Sequence, residues 1–292
     1  MPLLGPPGIP TNRPLTYHAY MLITSVHNPR VKEAARLRDR RDRQRQGRLL
    51  IDGVRELRRA LDASVELVEL FFCPERCGGD EAYAILAQAG QLGERAPTVY
   101  TVTPAVLEKL VYGERAEGLL GVARLPQRTL HDIPLPRSGL VLVLEQVEKP
   151  GNVGAVLRTA DAVGAAAVIV CGGTDLFNPN VIRASLGTIF TVPVCSADSV
   201  STKAWLLQSN ARLFTARVDG AVDYTTVDLT GLVALVFGAE SQGLSELWRG
   251  PQVTPIRLPM LGRADSLNVS VAAAVMSYES LRQRQMAITA GG

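Results

Sequence analysis

The sequence predicts an α/β protein with two domains. Apolar strand-like runs alternate with amphipathic helix-like segments from residue 21 onward, which is the pattern of α/β layer folds. A proline-rich stretch without periodicity interrupts this alternation at residues 126–138. The chain has 292 residues, 47% of them hydrophobic, which is enough to bury at least one sizeable core and to form two domains. We therefore expect a leader over 1–20, a first domain over 21–125, a linker over 126–138 and a second domain over 139–292.

The first twenty residues are rich in proline and lack the basic-then-apolar order of a signal peptide. We interpret them as a flexible leader. The structured pattern begins at Met21, which is therefore an alternative start of the protein.

Basic residues crowd into one segment, 28–48. It carries nine arginines and lysines against three acidic residues, whereas the formal charge of the whole chain is only +3. Val31, Ala34, Ala35 and Leu37 form a narrow apolar stripe, so we expect one helix lying on a small core. A solvated helix face is one interpretation. A phosphate-binding surface is the other, because arginine dominates and its planar fork suits phosphate oxygens. The arginines that we assign to nucleic-acid binding are Arg36, Arg38, Arg40, Arg41, Arg43 and Arg45.

The rest of the first domain alternates strands with helices. Residues 49–63 indicate a strand, a turn at Gly53 and an amphipathic helix. Further strands are predicted over 65–73, 97–102 and 119–126, with helices over 81–93 and 103–114, the latter capped by Thr103. This pattern predicts a small α/β layer domain.

The second domain begins with a continuous apolar run at 139–147, which is typical of a buried parallel strand. A helix capped by Asn152 and ended by Gly164 follows, and then a strand over 166–172 and a short helix capped by Asn178. A strand over 190–194, a helix around 202–209 and strands over 211–218 and 232–238 continue the alternation. The pattern predicts a mostly parallel sheet with helices on both faces and a ligand site outside the carboxyl ends of the strands.

The last strand is predicted to contain Ile256, Leu258 and Met260. A polar turn follows over 261–265, and we expect the final helix to open at Ser266, a good N-cap residue. Asn268 would then lie in the first helical turn.

Three turns follow three of the predicted strands, with the sequences GNVGAVLRT, GAESQGLS and LGRADSLNVS. The first lacks the G-x-G-x-x-G order of a dinucleotide fingerprint, which disfavours a nicotinamide enzyme. In the second, Gly238 and Gly243 allow the backbone to approach a ligand closely, and Glu240 between them needs a partner if it is buried.

Cysteine usage and hydropathy exclude several classes of protein. Four cysteines at this chain length do not form a disulfide framework, so we expect a reducing compartment and a cytoplasmic protein. Cys73 and Cys77 form an isolated C-x3-C pair without the second pair of a zinc site. No apolar run is long enough to cross a bilayer. We therefore expect neither a metal nor a membrane partner.

Together the three turns resemble the three motifs of the SpoU (TrmH-like) RNA ribose methyltransferases. Their pattern here is N-x5-R, G-x-E-x2-G and S-L-N-V-S, and the resemblance covers residues 139–284. The first domain is similar, less distinctively, to the substrate-binding domain of that family, a small ribosomal-protein-like α/β fold.

The resemblance implies a fold and a cofactor that the residue pattern alone does not. It implies that the second domain is a SPOUT methyltransferase domain with a deep trefoil knot, in which S-adenosylmethionine binds bent and is held largely by backbone groups. The matching positions are Gly238, Leu258 and Leu267. It also implies a homodimer whose active site is completed across the interface.

The catalytic residues implied by the same resemblance are Asn152, Arg158, Glu240, Ser266 and Asn268. The family mechanism assigns to the arginine the activation of the ribose hydroxyl. Because a guanidinium is nearly impossible to deprotonate, we favour phosphate binding and orientation of the hydroxyl by Arg158. We expect Glu240 to organise its loop through hydrogen bonds. No metal is required, since a sulfonium methyl is already activated.

The expected function is therefore S-adenosylmethionine-dependent 2′-O-methylation of structured RNA, with 23S ribosomal RNA as the preferred substrate. Transfer RNA and self-protection against an antibiotic by rRNA methylation are alternatives. An inactive RNA-binding or ribosome-assembly protein is the alternative from another class, and intact Asn152, Arg158, Ser266 and Asn268 argue against it.

Overall fold

The computed structural model describes residues 21–112, 117–219 and 222–290, in which the chain forms two β-sheets covered by helices. The predicted leader, 1–20, lies outside the described residues. No helix in the described ranges combines the length and the apolar character needed to cross a membrane.

The first sheet has five strands in the order β1-β4-β3-β5-β2. Strands β1, β4 and β3 are parallel to one another, and β5 is antiparallel to both β3 and β2. Its elements are β1 Met21–Ile23, α1 Pro29–Arg36, α2 Arg40–Gln46, β2 Arg48–Asp52, α3 Val54–Asp62, β3 Leu67–Phe72, α4 Asp80–Gly90, β4 Thr98–Val102, α5 Pro104–Leu110 and β5 Leu119–Arg124. Thr103 occupies the N-cap position of α5, but its side chain makes no capping hydrogen bond.

The basic segment forms two short helices, so the prediction of a single helix is wrong. Helix α1 ends at Arg36, and α2 begins at Arg40. The reason lies in Asp39, whose carboxylate accepts hydrogen bonds from the backbone N–H groups of Arg41 (2.8 Å) and Asp42 (3.4 Å) and so caps a new helix. The predicted apolar stripe does face the core, since Val31, Ala34 and Leu37 are buried.

The second sheet has seven strands in the order β10-β12-β9-β11-β6-β7-β8, and every pairing in it is parallel. The predicted parallel sheet is confirmed. Its elements are β6 Gly139–Glu145, α6 Pro150–Ala162, β7 Ala167–Cys171, α7 Pro179–Ala184, α8 Thr188–Thr191, β8 Val194–Ser196, α9 Ser199–Gln208, β9 Arg212–Ala216, β10 Val222–Asp223, β11 Leu232–Phe237, β12 Val253–Arg257 and α10 Val269–Ala290.

Both faces of this sheet are buried, which explains the continuous apolar run of β6 up to Leu144. Along β6, Leu142 and Leu144 pack into the core cluster that contains residues of α6 and α10. The alternate residues, Val141 and Val143, pack into a second cluster that includes residues of α9 and Trp248. Alternate side chains of a strand point to opposite faces, so a strand covered on both sides must be continuously apolar.

Several predicted element boundaries differ from the structure. Residues 190–194 were expected to form a strand, but Phe190 lies in α8 and the strand begins at Val194. Strand β12 ends at Arg257, before Leu258 and Met260. The turn GAESQGLS after β11 is also predicted to lead into a new helix, but the structure has only a 3-10 helix there, Glu246–Trp248. Strand β10, of two residues, is too short to show a period in the sequence.

The first helix after β6 also begins differently from the prediction. Helix α6 starts at Pro150 with Lys149 as the N-cap residue, so Asn152 lies inside the first turn and is not the cap. Proline favours the first helical position because it needs no hydrogen-bond partner for its nitrogen. The helix ends as predicted before Gly164, which has a φ of +64°.

The segment 126–138, predicted to be a linker, packs against the second sheet. It contains a 3-10 helix, Leu130–Asp132, closed by a capping box in which the Asp132 carboxylate accepts from the Thr129 backbone N–H. Leu130 and Ile133 are buried in the cluster that contains Trp248. The segment is therefore irregular and mostly exposed, but the side chains of Leu130 and Ile133 fix it to the core.

Polar contacts join the two sheets. The Arg59 guanidinium donates to the carbonyl oxygen of Leu186 at 2.6 Å. Arg183, on α7, lies 3.6 Å from the buried carboxylate of Asp52 at the end of β2. Burial raises the pKa of Asp52, opposed by a hydrogen bond from the Tyr112 N–H and by the charge of Arg183. The two parts of the chain are thus joined by contacts of α3 with α8 and of α7 with β2.

Candidate functional site

The three turns singled out in the sequence meet at the carboxyl-terminal edge of the second sheet. Strand β6 leads into α6, which carries Asn152 in its first turn. Strand β11, the neighbour of β6, leads into the glycine-flanked segment with Glu240. Strand β12 leads into the segment 258–268, which ends at α10. Carboxyl ends of parallel strands lie at the same edge of a sheet, so residues far apart in sequence are brought together here.

Asn152, Glu240 and Asn268 form a hydrogen-bonded cluster at this edge. The amide of Asn152 donates to Glu240 Oε1 at 3.0 Å, and the amide of Asn268 donates to the same oxygen at 2.7 Å. The Asn268 amide also lies 3.2 Å from Asn152 Oδ1. Two amide donors therefore converge on one carboxylate oxygen, and the three side chains hold one another in place.

Lys149 completes the cluster, because its ammonium forms an ion pair with the other oxygen of Glu240, Oε2. The hydrogen bonds from Lys149 and Asn152 hold the pKa of Glu240 below its usual range. Glu240 is thus ionised at neutral pH and acts as the acceptor around which the donors are arranged. This arrangement agrees with a role in organising the loop.

Asn268 also caps the last helix, which corrects the assignment of that role to Ser266. Its Oδ1 accepts from the backbone N–H of Ser270 at 3.0 Å and from the Ser270 hydroxyl at 2.7 Å, and α10 begins at Val269. Ser266 lies in an exposed segment two residues before the cap. One side chain therefore starts the helix with its oxygen and reaches Glu240 with its nitrogen.

A cleft of about 910 Å³ opens beside the cluster, and the positions matched to cofactor binding line it. Gly238, Leu258 and Leu267 are among its lining residues, together with Glu240 and Ser266. A cleft of this size holds a nucleoside-sized ligand. Leu258, Val269 and Met276 contribute apolar side chains to its lining.

Gly238 allows the tight turn that forms one wall of this cleft. A Cβ atom at this position would lie 2.3 Å from the carbonyl group of Gly243, closer than any non-bonded atom can approach. The Gly243 N–H donates to the Ala239 carbonyl at 2.9 Å and closes the turn. The backbone of the segment is therefore folded back on itself, with its peptide groups beside the cleft.

Arg158 is not brought into this cluster. Six residues separate it from Asn152 on α6, which places it about 9 Å further along the helix axis and about 120° around it. Its side chain is exposed, and within the described ranges it takes part in no hydrogen bond or ion pair. The guanidinium is thus available to bind a ligand.

The arginines predicted to bind nucleic acid fall into two groups, those with exposed side chains and those held by other parts of the protein. Arg36, Arg40 and Arg41 are exposed on α1 and α2. Arg45 is exposed but forms an ion pair with Asp42.

The other two arginines are engaged by the protein. Arg38 donates to the carbonyl oxygens of Lys109 and Val111, at 2.8 and 2.5 Å. Arg43 is 2% exposed and forms an ion pair with Asp175. A buried guanidinium cannot reach a phosphate, so the inclusion of Arg43 among the phosphate-binding residues is wrong.

Sequence reasoning missed two residues at this edge, Lys149 and Glu145. Lys149 directly precedes the proline that starts α6, and a cation at the start of the first motif could have signalled a partner for the carboxylate of the second. Glu145 ends the apolar run of β6 and is 3% exposed. A carboxylate at the end of a fully buried strand signals a site with several hydrogen-bond donors. Among the described residues, no group of three or more histidine, cysteine, aspartate or glutamate side chains is arranged to hold a metal ion.

Comparison with known families gives a consistent match. The model of the SpoU rRNA Methylase family matches residues 139–278, and the model of an MRM3-like substrate binding domain matches residues 28–121. The 23S rRNA (guanosine-2′-O-)-methyltransferase RlmB of Bordetella pertussis is 36% identical over 209 residues, which cover 68% of this chain and 83% of that protein. The 23S rRNA (adenosine(1067)-2′-O)-methyltransferase of Streptomyces azureus is 29% identical over 235 residues, which cover 80% and 85% of the two chains.

Solved structures agree with these matches. A crystal structure of an RNA 2′-O ribose methyltransferase has 42% sequence identity and a TM-score of 0.78, covering 91% of this chain and 100% of that one. An AdoMet-bound rRNA methyltransferase from Sinorhizobium meliloti has 28% identity and a TM-score of 0.81, with 90% and 98% coverage. These two structures therefore align with nearly the whole of this chain, in fold and in sequence.

Proposed function

This chain belongs to the SpoU rRNA methylase family, and we propose that the cluster of Asn152, Glu240 and Asn268, with the cleft beside it, is the active site at which it methylates ribose 2′-hydroxyl groups of ribosomal RNA. As a member of that family it is an RNA 2′-O-ribose methyltransferase that uses S-adenosylmethionine as the methyl donor. The observation that carries the proposal is the convergence of all three motifs on one edge of the parallel sheet.

The cleft is the proposed donor site. Its apolar walls suit the adenine ring, and the folded-back backbone from Gly238 to Gly243 offers peptide groups for hydrogen bonding to the polar parts of the donor. Gly238, Leu258 and Leu267 are the residues that we assign to binding it. When bound, S-adenosylmethionine supplies a methyl group already activated by its sulfonium charge, so no metal is needed.

The protein side chains have positioning roles in this proposal. A ribose hydroxyl is a weak nucleophile, and aligning it with the methyl group can supply a large part of the rate. Arg158 orients the hydroxyl and binds the adjacent phosphate, because its guanidinium remains charged and cannot accept the hydroxyl proton. Asn268 and Asn152, held on the Glu240 carboxylate, fix the position of the loop at the reacting end of the cleft. Ser266, exposed at the cleft, contacts the ribose.

The position of Arg158 supports a homodimer in which each arginine serves the site of the partner subunit. Helix α10 supports the same conclusion, because it has apolar residues on a second face besides its buried one. Val271, Val275 and Tyr278 are 47%, 37% and 52% exposed and follow one another at helical spacing, and Leu267, 41% exposed, precedes the helix. Such a stripe is typical of a surface that a second copy covers.

The domain assignment follows from the same family membership. We propose that residues 21–125 bind the RNA and that residues 139–292 form a knotted SPOUT methyltransferase domain, with 126–138 between them. The exposed arginines Arg36, Arg40 and Arg41 of α1 and α2, with Arg45 beside them, then contact RNA phosphates, while Arg38 stays engaged by the carbonyl groups of Lys109 and Val111. We also propose a cytoplasmic location, which the similarity to bacterial 23S rRNA methyltransferases supports.

The test is a methyl-transfer assay on 23S rRNA transcript with labelled S-adenosylmethionine, followed by mapping of 2′-O-methyl positions. We expect methylation at one or a few positions by wild type and none by Asn268→Ala. A matched transfer RNA transcript is the control and should remain unmethylated. Donor binding without methylation of any rRNA fragment, or methylation on a base instead of a ribose, would contradict the proposal.

A further inference from the structure

Glu145 is a buried carboxylate that the chemistry above does not use. It is the last residue of β6 and is 3% exposed. Strand β11 runs beside β6, with Phe237 paired to Leu144. Glu145 therefore lies next to Gly238, where the segment with Glu240 begins.

Four hydrogen bonds converge on this carboxylate. Oε2 accepts from the backbone N–H of Ser245 at 2.7 Å. Oε1 accepts from the Ser245 hydroxyl at 2.9 Å, from Trp248 Nε1 at 2.8 Å and from the Ser199 hydroxyl at 2.7 Å. Burial alone would raise the pKa of Glu145, but these hydrogen bonds outweigh burial and hold the pKa below its usual range. The group is thus a charged acceptor, whose hydrogen bonds are stronger than those of a neutral one.

Three of the four donors belong to one segment, residues 239–248, which we call the wall segment. It forms one side of the cleft, where Leu244 and Glu246 are lining residues. Its first half is closed by the hydrogen bond from the Gly243 N–H to the Ala239 carbonyl. Its second half has no regular secondary structure except the 3-10 helix Glu246–Trp248. The buried Trp248 ring and the Lys203 ammonium, which donates to the Leu247 carbonyl at 2.6 Å, hold it against the α9 side of the sheet, and the hydrogen bonds to Glu145 tie it to β6 beside the cleft.

We propose that Glu145 is a positioning residue for the methyl donor. Through Ser245 and Trp248 it holds the wall segment in the conformation that binds S-adenosylmethionine and presents Glu240 to Asn152 and Asn268. It acts through these residues and does not touch the donor. The proposal rests on the assignment of the cleft as the donor site.

The first test is Glu145→Gln. A glutamine has nearly the same shape, but it places an NH₂ group against at least one of the donors that now face the carboxylate, and it removes the charge. We expect the Kd and the KM for S-adenosylmethionine to rise by about tenfold, as for the loss of hydrogen bonds to a charged group. The KM for RNA should stay unchanged. Because KM does not depend on the fraction of folded enzyme, a purely structural role would lower the melting temperature and leave the donor KM at its wild-type value.

A matched pair of serine variants separates the wall segment from the rest of the site. Ser245→Ala and Ser199→Ala each remove one hydroxyl from the same oxygen of Glu145, but only Ser245 belongs to the wall segment. We expect the donor KM to rise about threefold in Ser245→Ala and to change by less than about twofold in Ser199→Ala. These variants keep the test decisive if Glu145→Gln does not fold.

The outcomes distinguish this inference from the proposed function. A wild-type donor KM in Glu145→Gln, or equal effects of the two serine variants, would overturn the role of Glu145. Leu258→Trp places a larger side chain in the cleft itself, so it tests whether the cleft is the donor site and should weaken donor binding. If Leu258→Trp binds the donor as wild type does, the assignment of the cleft fails instead.

Discussion

Arg43 and Asp175 form an ion pair that joins the two sheets, although 132 residues separate them in the chain. The Arg43 guanidinium also donates to the carbonyl oxygens of Leu37 and Arg38, at 2.7 and 2.8 Å. It therefore satisfies the backbone at the break between α1 and α2 and ties this break to the loop between β7 and α7. An arginine from the most basic segment of the chain has a structural role at the contact between the sheets.

Removing this arginine should destabilise the protein strongly. Arg43→Ala leaves the Asp175 carboxylate and two carbonyl groups without their donor, and we expect the free energy of unfolding to fall by about 3 kcal/mol. The control is Arg45→Ala, which removes the exposed pair with Asp42 and should cost less than about 1 kcal/mol. Urea denaturation of both variants gives the comparison. Equal losses in the two variants would show that the Arg43 pair contributes no more than a surface pair.

Variants of Asn268 should separate its cap from its place in the cluster. Asn268→Ala removes both, so we expect stability to fall by about 1 kcal/mol and turnover by more than about tenfold. Asn268→Ser retains a capping oxygen, but its side chain is too short to reach Glu240. It should therefore keep the stability of wild type and lose activity. Thermal unfolding and single-turnover methylation measure the two effects.

Ser266→Ala is the companion to these variants. Because Asn268 and not Ser266 caps α10, this variant should unfold at the wild-type temperature. A loss of activity in it would then identify a contact with substrate. A melting temperature as low as that of Asn268→Ala would be incompatible with the observed cap.

Mixed dimers should show whether Arg158 serves the partner subunit. Arg158→Ala and Asn268→Ala should each lose more than about nine-tenths of turnover as homodimers. In a dimer with one copy of each, one site would combine an intact Asn268 with the intact Arg158 of the other subunit, so about half of the wild-type turnover per dimer should return. Differently tagged copies, purified in tandem, give this species. No recovery would mean that Arg158 acts within its own subunit.

The exposed face of α10 should be the dimer contact. Placing a charge there, in Val271→Glu or Tyr278→Glu, should convert the protein to a monomer, because burying an unpaired carboxylate is strongly unfavourable. Val200→Glu on α9 replaces another exposed apolar residue, 66% accessible, and should leave the dimer intact. Light scattering at micromolar concentration distinguishes the two states. A monomeric wild type would exclude this arrangement and the shared active site with it.

The exposed arginines of α1 and α2 should give RNA binding a steep salt dependence. Replacing Arg36, Arg40 and Arg41 by glutamine should weaken RNA binding and reduce the slope of log affinity against log salt by about one to three units. Donor affinity should remain unchanged, since these residues lie on α1 and α2 and none of them lines the cleft. Arg95→Gln, at an exposed arginine outside these helices, is the control. Wild-type affinity and slope in the triple variant would show that the arginines are only a solvated surface.

The alternation of strands and helices, the parallel sheet and the spacing of the three motifs could all be read from the order of the amino acids. Hydrophobic periodicity is a short-range property, and the apolar run of β6 or the end of α6 at Gly164 depends on neighbouring residues alone. The resemblance carried by those motifs then identified Asn152, Glu240 and Asn268 as members of one site.

The roles of individual polar residues depended instead on contacts between distant parts of the chain. Ser266 and Asn268 are both residue types that cap helices well. In the structure Asn268 is the cap, and its amide also donates to Glu240, a residue distant in the sequence. Arg43 has the same local pattern as Arg41, yet Asp175 and the carbonyl groups of the helix break hold it inside the protein. A side chain with several possible hydrogen-bond partners takes the set that leaves the fewest buried groups unsatisfied, and that set exists only after the two sheets have come together.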